Sequence, residues 1–164
     1  MTRAVLVPGT LALLPEYASI EDPVAELRAA CLRAVGWLGA DVTVLADQQG
    51  ARVAEHLLAS STRTSDEPSY LVVGNGSARR TEKAPGHLDA RASGFDSDLG
   101  RWLRDGRFDE VAALDRRLAQ ELWAGVDPII ELAGVPDLSV GQVDYEGDPF
   151  GVQYWVIRWA SQIP

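Results

Sequence analysis

Residues Tyr70-Leu-Val-Val-Gly-Asn-Gly-Ser-Ala-Arg-Arg-Thr-Glu-Lys-Ala-Pro-Gly-His-Leu-Asp89 decide how this chain is read. Tyr70 to Val73 is a short apolar run, the pattern of a buried strand. It opens straight into Gly74-Asn-Gly76, where two glycines let the backbone turn sharply or approach a ligand closely. Arg79, Arg80, Glu82 and Lys83 follow, and Lys83 is the only lysine in the 164 residues. In open α/β sheets, ligands sit beyond the carboxyl ends of the strands. The segment therefore marks a strand and the expected binding edge together.

Outward from it, the pattern alternates. Toward the N-terminus lie a polar loop (Ser60 to Ser69), an amphipathic helix (Ala51 to Ser60) with His56 near its inner face, and a β-branched strand (Asp41 to Leu45). Before these, Asp22-Pro23 reads as a helix start, with Asp at the N-cap and Pro at the first helical position. Val24, Leu27, Cys31, Val35 and Leu38 recur at helical spacing until Gly39. Arg3 to Val7 reads as a strand ended by Pro8-Gly9, and Thr10 to Ile20 as an ordered loop. Toward the C-terminus, helices are expected near Asp96 to Arg104, near Phe108 to Trp123, and from Asp127-Pro128 to Gly134. Leu138 to Tyr145 and Val152 to Trp159 then alternate as two strands around Gly147, Asp148 and Pro149. Tyr154, Trp155 and Trp159 read as packing residues of the last strand. The expectation is an α/β sandwich forming one domain over residues 1–164, with a central mixed, mostly parallel sheet flanked by helices and a C-terminal β-hairpin.

Composition bounds the function. A net charge of −9 argues against a general binder of nucleic acid or acidic membranes. No apolar run approaches the roughly 20 residues of a bilayer span. No signal peptide pattern is seen, and one cysteine, Cys31, permits no internal disulfide, so a cytoplasmic protein is expected.

Familiar catalytic loops are excluded one by one. Arg79 stands where a dinucleotide loop needs its third glycine, and no Gly-Lys-Ser/Thr triplet exists for a Walker A loop. Ser77 sits in Asn75-Gly-Ser-Ala-Arg79 rather than in a Gly-x-Ser-x-Gly elbow. Two readings of the charged loop remain. Backbone N–H groups of Gly76 and Ser77 with Arg79 or Arg80 could surround an anion, or the arginines could pair with Glu82, Asp89 or Asp96 and pin the loop. The ligand-binding candidates are Gly74, Asn75, Gly76, Ser77, Arg79, Arg80, Glu82, Lys83 and His87. Only His56 and His87 are available as imidazole ligands. A facial Fe(II) triad could be composed from them with Asp47 or Asp89, although no spacing supports it, and no cofactor is expected.

Gly74 to Asp89, then Phe95-Asp96, then Tyr145 to Tyr154 with Asp148-Pro-Phe-Gly-Val152, resemble one family. It is the B-subunit-like family of class III extradiol ring-cleavage dioxygenases, in its short actinobacterial form. Pro8 to Glu16 resembles that family's proline-rich loop. The resemblance implies an α/β fold with a largely parallel sheet, and in active members an Fe(II) held by two histidines and a glutamate, with a further histidine as acid/base. It places those four groups near Gly9, near Asp47 to Gln49, near Trp123 and at Ala78, where none occurs. It thus implies a metal-free relative binding a small anionic or aromatic ligand or a protein partner at the loop. The alternatives are an active Fe(II) dioxygenase and a structural or regulatory subunit, because such enzymes can pair unlike subunits. A homo- or hetero-oligomer is compatible with each.

Overall fold

The computed structural model describes residues 1–17 and 20–161. Its elements are β1 (Arg3–Val7), α1 (Ala25–Trp37), β2 (Val42–Leu45), α2 (Gln48–Ala59), β3 (Ser69–Val73), α3 (Ala92–Asp105), α4 (Phe108–Ala112), α5 (Arg116–Glu121), α6 (Asp127–Leu132), β4 (Gln142–Gly147) and β5 (Tyr154–Ala160). The strands form one sheet in the order β2-β3-β1-β5-β4. β2, β3 and β1 run parallel, and β5 and β4 are antiparallel.

Side chains alternate across a strand, and β1 shows why it is central. Val5 and Val7 face α1 and α2 with Leu27, Cys31, Val35, Val53 and Leu57. Ala4 and Leu6 face the later helices, with Leu99, Leu103, Ile129, Trp155 and Trp159. Both cores are buried, so Ala4 to Val7 reads as an unbroken apolar run, as expected of a strand buried on both faces. The α/β fold with a mixed sheet and a C-terminal hairpin is thus the observed one.

Several boundaries differ from the sequence reading. Helix α1 starts at Ala25, with Asp22 instead capping the preceding turn through Val24 N–H at 3.2 Å. Thr10–Tyr17 winds into two short 3-10 turns, Leu11–Leu13 and Pro15–Tyr17, while Ala18 and Ser19 of that expected loop lie outside the described residues. The expected helix over Phe108 to Trp123 breaks into α4 and α5, because the Asp115 carboxylate accepts the Leu118 N–H at 3.0 Å and starts a new helix. Strand β4 begins at Gln142 rather than Leu138. Gly141 N–H donates to the Arg104 carbonyl at the end of α3, which draws Leu138–Gly141 against that helix; Leu138 meets Ser161 in a single bridge.

Candidate functional site

The parallel strands β1, β2 and β3 end at the same edge, and their exits are sewn together by amides. Gln49 Nε2 donates to the Gly9 carbonyl at 2.8 Å, and Gly9 N–H donates to Asn75 Oδ1 at 3.1 Å. Asn75 N–H donates to the Gly125 carbonyl at 3.1 Å, adding the loop between α5 and α6. Close approach requires small residues here. A Cβ on Gly50 would lie 2.9 Å from Val73, and one on Gly74 would lie 2.8 Å from the Gly125 carbonyl.

Beyond Asn75 the loop turns inward. Gly76 N–H donates to the Gln153 carbonyl, and Ser77 N–H and Oγ donate to Asp96 at 2.7 and 2.6 Å. These are the donors that the sequence offers to an anion, and Asp96 has taken their place as the acceptor. Ser77 is fully buried and cannot act as an exposed nucleophile. Asp96 is reached by sequence logic only in part: it stands on the apolar stripe Ala92, Asp96, Leu99, Leu103 of α3. An acid on such a stripe needs a buried partner. Burial pushes its carboxyl above the usual range, while hydrogen bonds from Ser77 and Arg80 pull it back.

Arg80 donates from Nη1 to Asp96 at 2.9 Å and from Nε to Asp148 at 2.8 Å, joining the loop to the β4–β5 turn. Burial alone would lower its guanidinium, but Asp148 and Asp96 raise it. Arg79 donates to the carbonyls of Glu121 and His87 and lies 3.8 Å from Asp89. Asp89 is held by Arg91, whose hydrogen bonds bring its carboxyl down to about 2. The anion cradle of Gly76, Ser77, Arg79 and Arg80 is therefore filled from within the chain.

The remaining candidates point outward. Glu82 and Lys83 line a shallow groove of about 630 Å³ with Thr81, Asp148, Pro149 and Phe150. Among the described residues neither Glu82 nor Lys83 has an ion-pair partner. Phe150 is 37% exposed and stands edge-on to Tyr154, with centroids 6.4 Å apart. Gly151, at φ +74°, is needed where a Cβ would meet Thr81 and Ala84 at 2.6 Å. Phe150 was outside the sequence candidates, although it lies in the Asp148–Val152 stretch singled out there.

The metal alternative is not supported by geometry. His56 is half-buried on α2 beside Leu14 and Arg52, whereas His87, at φ +60°, is an exposed loop residue whose Nδ1 meets the Glu82 carbonyl. Among the described residues no three His, Cys, Asp or Glu side chains converge to hold a metal ion, so His56, His87, Asp47 and Asp89 do not form a facial triad. Burial pushes the Cys31 thiol up to about 12 inside the core, leaving it neutral. Another groove, of about 410 Å³, lies between Gly106–Glu110 and Ala133–Leu138, and its one lining cation, Arg107, pairs with Glu110. No helix among the described residues is long and apolar enough to cross a membrane. No protein-family model matches the chain, and no curated protein matches it.

Proposed function

We propose that this chain is a non-catalytic binding protein that takes a small aromatic carboxylate in the groove between Thr81–Lys83 and Asp148–Phe150. One observation carries the reading: the loop's arginines are engaged within the chain, whereas Lys83 has no ion-pair partner among the described residues and lines one groove with the exposed ring of Phe150. Arg80 is already shared between Asp96 and Asp148, so Lys83 is the cation left to meet a carboxylate, and Phe150 offers a face or edge to a ring.

The scaffold is proposed as that of a class III extradiol dioxygenase relative without its iron. Positions to which the resemblance assigns ligands do gather at one edge: Gln49 bonds Gly9, and Ala78 N–H donates to Leu122, the neighbour of Trp123. Amide hydrogen bonds occupy the ground between them. With those side chains missing, no three His, Cys, Asp or Glu side chains among the described residues converge to hold Fe(II) with a catecholate and O₂.

Thermal shift with benzoate, inorganic phosphate and nucleotides tests the site. Benzoate-type ligands at about tenfold excess over the dissociation constant should raise Tm by about 3–6 °C. Lys83→Ala and Phe150→Ala should each abolish that shift. No shift with any aromatic carboxylate, or one that survives Lys83→Ala, overturns the ligand reading. Yellow ring-opened product from catechol or protocatechuate, with Fe(II) in air, overturns the non-catalytic one.

A further inference from the structure

The two strands that end the sheet are built differently. An edge strand presents unpaired N–H and C=O groups, and proteins shield such edges with charge, proline or bulges. β4 carries these guards: its register slips between Val143 and Tyr145, and Asp144 and Glu146 add charge. β2 carries none. Val42-Thr-Val-Leu45 has no charge, proline or bulge and pairs with Ser69–Val72 in unbroken register. Val44 is 37% exposed. Among the described residues nothing outside the β3 ladder hydrogen-bonds to Val42–Leu45.

We propose that β2 pairs antiparallel with β2 of a second copy of this chain, joining two sheets across a two-fold axis. Such an axis sets one residue opposite its own copy. With Thr43 at the centre, Val42 faces the second copy's Val44 on the α1/α2 side, and Thr43 faces Thr43 on the other; both are favourable cross-strand pairs. Asp41 then lies opposite Leu45, and Asp47 opposite Gly39. The Gly39 carbonyl accepts Arg63 Nη1 at 2.8 Å, which brings that guanidinium to the end of the pairing nearest the second copy's Asp47, whose Oδ1 caps α2 through the Gly50 N–H at 2.6 Å. Centring on Val44 would instead set Asp41 against Asp47, two like charges. Charge complementarity therefore favours a second copy in this register over one centred on Val44.

Sedimentation velocity from about 1 to about 200 µM tests this, since dimerisation follows mass action. The mass should rise from 17.7 kDa toward twice that value. Val44→Lys should hold the protein at monomer mass over the whole range, and Arg63→Glu should weaken association by at least about tenfold. Circular dichroism should be unchanged in both. In the unsubstituted protein, amide exchange at Val42–Leu45 should slow as concentration rises. A monomer throughout, a dimer that Val44→Lys leaves intact, or one that leaves those amides exchanging at the monomer rate overturns the proposal.

Discussion

Asp96 joins segments far apart in the chain, accepting hydrogen bonds from Ser77 and Arg80 while rooted in α3. Removing one donor leaves a buried carboxylate short of a partner. Arg80→Ala should cost about 2 kcal/mol, seen as a lower urea midpoint with no ligand present. Gly76→Ala should destabilise by about 1–3 kcal/mol, because its Cβ would lie 2.6 Å from Asp96 Oδ1 and 2.9 Å from Trp155. Asp89 governs an acid limb. Its carboxyl is lowered to about 2 by Arg91, so its contribution is present above the ordinary carboxylate value of about 4 and is lost as pH falls through about 2. In melting curves taken from pH 5 down to 2, the gap between Asp89→Asn and the unsubstituted protein should close with acidification. Asp96, raised by burial, acts in the opposite sense. At this scale the sequence exposed the cluster but not its orientation. Arg79 and Arg80 could face a ligand or the protein; the placement of Asp96 and Asp148 turns Arg80 inward, and the Glu121 and His87 carbonyls hold Arg79.

Elements were legible where one pattern acted alone. Ala4 to Val7 and Tyr70 to Val73 are continuous apolar runs, and the Val24 to Leu38 stripe marks α1, so β1, β3 and α1 could be read from spacing. They failed where a local hydrogen bond overrode the period. The apolar spacing from Phe108 to Trp123 continues through Leu114, yet Asp115 caps a new helix. Asp115→Ala should therefore cost about 1 kcal/mol, measured by thermal unfolding, with helix loss confined to α5. β4 shows the same limit: the alternation from Leu138 is strand-like, but Gly141 is tied to the end of α3. Its small size is required there, since a Cβ would lie 2.7 Å from Trp159 Nε1.

For the molecule as a whole, strand order was beyond the reach of spacing, because alternation says which face a residue takes and not which strand lies beside it. β1 ends up between β3 and β5, with Arg3 opposite Ser69 on one side and Ala160 on the other. That placement has a consequence for how the protein is made. Among the five strands, the one that leaves the ribosome first is flanked by the one that leaves last. At ordinary translation speeds, Val7 waits roughly 7–30 s before Tyr154 is added. Throughout that interval one side of β1 has no neighbour, and Ala4 and Leu6 have no Trp155 or Trp159 to cover them. The nascent chain should therefore depend on holding chaperones during synthesis, and chains ended before Tyr154 should collect in the insoluble fraction.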